Sequence, residues 1–188
     1  MNLKTEMRIL GIDDGPFDKF KDRECNLIGV LYRGGQFMDG LLTTKVEVDG
    51  FDATMNIIDM VNKSKWKEHI RAIMLNGCAV AGFNVINAHK VHEATDIPVI
   101  IVTRDFPDYD KLYSALRKLD MEKKIPLIEK LGEPQKVKDI YVQCVGIDTE
   151  QAEELITLTS THSNIPEPIR VAHLIASGLF FGESKGGA

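Results

Sequence analysis

The sequence predicts an α/β fold: a mixed sheet with an antiparallel set of three strands first, then a parallel strand, helix, strand unit, and helices on both faces. Three observations predict it. The run Arg8-Ile-Leu-Gly-Ile-Asp-Asp14 is a short apolar segment closed by two acids and the breaker Gly15-Pro16, as expected of a strand covered on both sides. Two further strand-like runs, residues 27–33 and 37–48, flank Gly34-Gly35, a pair suited to the positive φ angles of a tight hairpin. Residues 70–75 and 99–102 are strand-like and are separated by a stretch with helical spacing, and a crossover of that kind makes its two strands parallel.

The other elements follow in order. Residues 17–24 alternate acids and bases without a period, which reads as an exposed connection. The third strand opens with a loose segment, 37–40, then alternates Thr44, Val46 and Val48 against Thr43, Lys45 and Glu47 before running into Asp49-Gly50. Asp52 stands at a helix N-cap, followed by Ala53, Ile57, Met60 and Val61 at helical spacing up to Lys63-Ser64. Lys63, Lys65, Lys67 and Arg71, with Trp66 and His69 among them, form either a basic surface or a solvated helix end. The next strand ends at Asn76-Gly77, and Ala88, Val91, His92 and Thr95 mark the returning helix. Pro107-Asp108 opens a helix carrying Leu112, Ala115, Leu116 and Leu119, and a charged helix or loop over 122–131 is broken at Pro126 and stopped at Gly132. A last strand, 140–147, leads to Asp148, which caps a helix over 150–158 with Gln151 at its third position. The final helix starts at Pro166-Glu167-Pro168 and places Ile169, Ala172, Ala176, Leu179 and Phe180 on one face bordering His173. The small, polar tail 182–188 either frays or covers a cleft. This order is that of a ribonuclease H-like sheet, in which the first strand lies centrally beside the fourth and acids from both face one cleft.

Composition narrows the function classes. The 188 residues, 44% hydrophobic and 27% charged, suit one globular domain over 1–188 with a full core. No apolar run is long enough to span a bilayer, and the start Met-Asn-Leu-Lys-Thr-Glu carries an acid and lacks an apolar signal core, so a cytoplasmic protein with no membrane partner is expected. Cys25, Cys78 and Cys144 are odd in number and widely spaced, which predicts reduced thiols and no zinc site. A net charge of -5 argues against broad electrostatic binding of nucleic acid and leaves room for a local basic surface over an acidic, metal-filled site.

Three strand ends carry oxygen-bearing side chains followed closely by glycine: Asp13, Asp49 and Asn76. Adjacent residues leave a strand on opposite faces, so only one of Asp13 and Asp14 faces any one cleft. Two-metal phosphodiester hydrolysis needs several hard oxygen ligands converging on divalent ions, and carboxylates on neighbouring strands supply that convergence. Asp-Gly and Asn-Gly are also ordinary turn pairs, so a turn-only reading stands beside the catalytic one.

The stretches Ile9-Leu-Gly-Ile-Asp-Asp-Gly15, Val48-Asp-Gly-Phe-Asp-Ala-Thr54, Asn76-Gly77 with Gly82-Phe-Asn84, Pro98-Val99, and Pro166-Glu-Pro-Ile-Arg-Val-Ala-His173 followed by Gly182-Glu-Ser184 resemble the endonuclease dU family, a relative of endonuclease V. The resemblance implies a ribonuclease H-like fold and a Mg2+- or Mn2+-dependent nuclease cutting DNA near a deaminated base such as uracil. By position it implies Asp13, Asp49 and Asn76 as catalytic metal ligands, with Asp14 and Asp52 in reserve and His173 as a catalytic contact to water or phosphate, or else a satisfied histidine on a packed helix. Phe83 and Asn84 fall in a substrate-proximal loop, where Phe83 either stacks on a base or sits in the core. Arg170 either holds phosphate or pairs with Glu167, and Glu183 and Lys185 could reach the cleft from the tail. Asn76 and Asn87 stand where the relatives are acidic. An amide offers one neutral oxygen, attracts a cation less and cannot act as a base. Asn76-Gly77 is also a pair that deamidates, which would restore an acid. Two other readings compete with the nuclease: a catalytically weakened relative that binds nucleic acid or nucleotide, and an ordinary α/β protein whose acids are turns and caps. A homodimer is compatible with all three.

Overall fold

The computed structural model describes residues 6–185. The expectation of a missing signal core rests in part on residues 1–5, and the end of the tail is residues 186–188; both lie outside the described residues. The chain forms β1 (Arg8–Asp14), β2 (Glu24–Arg33), β3 (Phe37–Glu47), α1 (Ala53–Asn62), β4 (Ile70–Asn76), β5 (Ala79–Val80), β6 (Asn84–Val85), α2 (Ala88–Thr95), β7 (Val99–Thr103), α3 (Tyr109–Lys118), α4 (Ile125–Glu129), β8 (Gln135–Val137), β9 (Ile140–Val145), α5 (Thr149–Thr159) and α6 (Glu167–Phe181). Among the described residues seven strands make one sheet in the order β3-β2-β1-β4-β7-β9-β8. As expected, β1 to β3 are antiparallel, and β1, β4 and β7 are parallel. β9 returns antiparallel to β7 and carries the short β8 at the far edge, a strand the sequence did not reveal.

Strand alternation sorts the side chains between two layers. Leu10, Ile12, Ile73, Leu75, Val99 and Ile101 face α1 and α2, where they meet Ile57, Val61 and Val91. Ile9, Met74, Ile100, Val102 and Val142 face the other way, onto Leu155 and Ile156 of α5 and Ile169 of α6. α6 also covers Ile28, Val30 and Tyr32 of β2 through Ala172 and Ala176.

The approach of α6 to β1 positions the site. Gly11 lies directly under the start of the helix: a Cβ there would run into the backbone of Pro168 and Ile169. Four helical residues advance about 6 Å and two strand residues about 6.6 Å, so the contact at Gly11 and Ile169 repeats at Asp13 and His173. Further along, the carbonyl of Ala176 lies beside Gly15.

Several local expectations are corrected. The third strand, expected to run over 37–48, ends at Glu47, the last strand ends at Val145, and residues 78–87 contain the β5–β6 hairpin ahead of α2. Leu179 and Phe180 are 70% and 50% exposed, because α6 runs on past the helix turns that pack on the sheet. Asp52 holds the N-cap position of α1 without capping it; its carboxylate accepts from the Glu47 amide at 3.1 Å and from Asn56 Nδ2 at 2.7 Å. Of the basic cluster after α1, Lys63 pairs with Asp59 and Lys67 donates to the Thr95 carbonyl. No helix among the described residues is long and apolar enough to cross a membrane.

Candidate functional site

The parallel pairing of Ile12 with Leu75 sets the next residues, Asp13 and Asn76, side by side at the ends of β1 and β4. Asp13 is 2% exposed. Its Oδ1 accepts from Asn76 Nδ2 at 3.0 Å and from the Asp14 amide at 3.0 Å, and its Oδ2 lies 2.9 Å from His173 Nδ1. Beside a carboxylate that nitrogen carries the proton, which leaves Nε2 of a ring that is 27% exposed as the free one. Burial holds the Asp13 carboxyl above its usual range even though Asn76, His173 and the Asp14 amide all favour its charge.

Asp14 points to the opposite face, where its Oδ2 accepts from the Ala81 amide at 2.7 Å. Burial, then the neighbouring Asp13 charge, push its carboxyl up to about 6. The same turn after β5 holds Asp49. The Asp49 amide donates to the Ala81 carbonyl at 2.8 Å, and Asp49 Oδ1 accepts from the Phe83 amide at 2.8 Å. Between them Gly82 has φ +84°, and a Cβ there would meet Asp49 Oδ1. Asp49 itself has φ 55°, in the left-handed region that a non-glycine residue rarely occupies. Lys19 Nζ is 3.8 Å from its Oδ2. Beside Asp49 an open groove of about 760 Å³ is lined by Lys19, Lys21, Arg23 and Lys45 interleaved with as many acids.

The structure thus brings Asp13, Asn76 and His173 into direct contact, and links Asp14 and Asp49 to each other through the 81–83 turn. Among the described residues no three His, Cys, Asp or Glu side chains converge as a metal-holding group. Asn76 differs from the expectation in orientation: it turns its amide nitrogen to Asp13, so its oxygen does not lie against the carboxylate. Deamidation there is opposed by the backbone. The Gly77 amide nitrogen that would close the ring donates to the Val102 carbonyl at 2.9 Å.

The remaining expected residues are committed elsewhere. Asn84 is fully buried; its Oδ1 accepts from the Ala53 amide and its Nδ2 donates to the Glu47 carbonyl and to Asp52, so it supplies the cap that Asp52 does not. Asn87 caps α2 through the Lys90 amide. Arg170 makes a bidentate pair with Glu167, at 3.0 and 2.7 Å, one helical turn away from His173. The Lys185 amide is tied to Ser177 Oγ at 2.9 Å, and its ammonium lies over the Phe181 ring and 3.7 Å from Glu183. Phe83 is half-buried against the cluster under α3 and α4, with Lys19 over its ring. Lys124 is a residue that sequence reading passed over. Its buried ammonium donates to the carbonyls of Asp49, Gly50 and Phe83, and nothing in the charged run around it marks it out.

Comparison with solved structures defines the class. Over 92% of this chain and 80% of that one, it superposes on Bacillus subtilis endonuclease V with TM-score 0.60 at 14% identity. Ciona intestinalis endonuclease V, solved with a DNA containing an inosine, gives TM-score 0.60 at 15% identity over 93% of this chain and 86% of that one. At such identities the likeness is one of fold, a ribonuclease H-like nuclease fold. A solved Archaeoglobus fulgidus protein of unknown function is 39% identical, with TM-score 0.86 over 93% of this chain and 98% of that one. A UPF0215 protein of Methanothermobacter thermautotrophicus is 44% identical over 99% of this chain and 94% of its own length. Residues 5–180 match the endonuclease dU family, and the chain belongs to that family.

Proposed function

We propose that this chain is a divalent-metal-dependent endonuclease that hydrolyses a phosphodiester near a deaminated base such as uracil in DNA, with Asp13 at its centre. Family membership supports a nuclease-like function, and the endonuclease V solved with inosine-containing DNA supports DNA as the partner. The observation that carries the reading is the buried Asp13 carboxylate, gripped by Asn76 from β4 and His173 from α6 at the open end of the central strands. The reading takes residues 1–188 as one domain acting in the cytoplasm.

The residues fit a divalent cation by charge and donor type. Asp13 stays short of positive charge despite three hydrogen-bond donors; its second lone pairs and the Asn76 amide oxygen are hard oxygen donors on one side of the strand ends, and the Asp14 and Asp49 carboxylates, joined through the 81–83 turn, are hard oxygen donors on the other. Bound there, Mg2+ or Mn2+ would polarise the phosphate and lower the pKa of a water. The protein's own groups do the rest. Asn76 and His173 fix the direction of the Asp13 carboxylate, and His173, anchored through Nδ1, can take or give a proton at Nε2. Lys19 and its neighbours along the groove beside Asp49 can meet phosphate oxygens of a bound strand.

Asn76 favours one second reading, a relative that binds nucleic acid and cleaves weakly or not at all, because a neutral amide stands where an anion would raise cation affinity. An end-labelled uracil-containing oligonucleotide incubated with Mn2+ separates the two. Cleavage by the native chain that disappears in Asp13→Ala supports the nuclease. Cleavage only after Asn76→Asp supports the binding relative, and no cleavage by either form contradicts the proposal.

A further inference from the structure

Lys124, just ahead of α4, is 1% exposed although it lies in a run of charged residues. Its Nζ donates to three carbonyl oxygens, those of Asp49 at 2.9 Å, Gly50 at 2.6 Å and Phe83 at 2.6 Å, and sits 4.1 Å from the centre of the Phe51 ring. An ammonium has three protons, so each finds an oxygen. The three oxygens come from two loops: the connection from β3 to α1, which holds Asp49, and the turn between β5 and β6, which holds Phe83.

We propose that Lys124 is a positioning residue for the Asp49 carboxylate, its ammonium locking the Asp49 loop and the Phe83 turn into the one arrangement that aims that carboxylate. The inference deepens the nuclease reading and rests on it for its consequence on metal binding. Two consecutive carbonyls, of Asp49 and Gly50, converge on one atom. Aligned carbonyl dipoles repel each other at that distance unless a cation lies between them. In this shape Asp49 lies in the left-handed region, which Asp tolerates better than most non-glycine residues and which its surroundings still have to determine. Lys124 supplies that determination from one side, and the Asp49–Ala81 and Phe83–Asp49 hydrogen bonds supply it from the other. With the ammonium gone, the carbonyls turn apart and the Asp49 side chain loses the Phe83 amide that orients it. A lysine serving only as filler for the α3–α4 cover would leave the Asp49 loop unaffected.

The experiment compares the native protein with Lys124→Met, which keeps the length of the side chain and removes the charge. Hydrogen exchange at the Phe83 amide reads the Asp49 contact directly, and Mn2+ titration reads the carboxylate's direction. In the folded variant the Phe83 amide exchanges at least about tenfold faster while the amides of β1 and β4 keep native rates, and Mn2+ binds about 10–100-fold more weakly, the usual effect of losing an orienting partner. Added methylammonium, which fits the emptied ring of carbonyls in Lys124→Ala, restores Phe83 protection. Unchanged exchange at Phe83 and unchanged Mn2+ affinity overturn the proposal. If the variants do not fold, the native protein decides: Lys124 ammonium protons that exchange as fast as those of surface lysines overturn it, and slow exchange supports it. Absence of Asp49-dependent Mn2+ binding in the native protein sinks the nuclease reading alone, and Phe83 exchange still decides the role of Lys124.

Discussion

Replacing Asn76 by Asp removes the donor on Asp13 and puts a second carboxylate in its place at about the same 3.0 Å. Two terms set the size of the effect. A hydrogen bond to a charged group contributes about 1.5–3 kcal/mol. Two full charges at that separation would repel by roughly 5–6 kcal/mol at an effective dielectric of about 20, which is an upper limit because one carboxyl takes up a proton instead. The net cost in metal-free protein should be on the order of 2–4 kcal/mol at pH 8. The sign with pH follows from linkage. The new carboxyl binds its proton more tightly in the folded state than in the unfolded one, so stability is retained below the unfolded value and lost as pH rises through the folded one. At pH 5, about one unit above the unfolded value, the shared proton restores a hydrogen bond at a protonation cost of about 1.5 kcal/mol, so the loss should shrink to about 1–2 kcal/mol. Mn2+ reverses the order, since paired anionic oxygens bind it better than an amide does, and binding only the folded state adds stability. Urea unfolding of both forms at pH 5 and pH 8, with and without Mn2+, reads all of this. Equal stability of the two forms at both pH values, or Mn2+ stabilising the native chain as much as the variant, would refute the reasoning.

Three further predictions rest on single contacts. Asp14→Asn keeps an oxygen for the Ala81 amide and removes a carboxyl held near 6 against an ordinary 3.8; that raised value costs stability as pH climbs, so without divalent ions the variant should gain up to about 3 kcal/mol at pH 7.5 and nothing below pH 4, by urea unfolding. Asn84→Ala strands the Ala53 amide and the Glu47 carbonyl in a buried place and should cost about 3 kcal/mol by thermal unfolding, whereas a loss under 1 kcal/mol would show that Asn84 does not cap α1. Gly11→Ala drives a methyl into Pro168, so α6 must lift; a loss of about 3 kcal/mol or more should come with changed NMR shifts of the His173 ring, and an unchanged ring would separate the helix approach from the site.

The central strands were legible because burial on both faces writes continuous apolar runs, and the β2–β3 hairpin because Gly34-Gly35 leaves little else for that stretch to do. Asp13, Asn76 and His173 were legible as residues, and the parallel register of β1 with β4 and the pitch of α6 over Gly11 explain why they meet. What stayed hidden depends on tertiary contact. The β5–β6 hairpin has two residues per strand, too few for any period, and is held by Asp14 and Asp49 rather than by its own sequence. Asp52 has the right residue type and position for a cap, yet the cap is Asn84 from a loop far along the chain. Lys124 reads as one more surface lysine until the carbonyls of two other loops close around it.

Calorimetric titration of Mn2+ into the native protein and into Asp13→Ala tests the central claim most directly. The account predicts saturable binding by the native chain that the variant loses, with the variant still folded. Binding of equal strength in both, or none in the native chain, would contradict it.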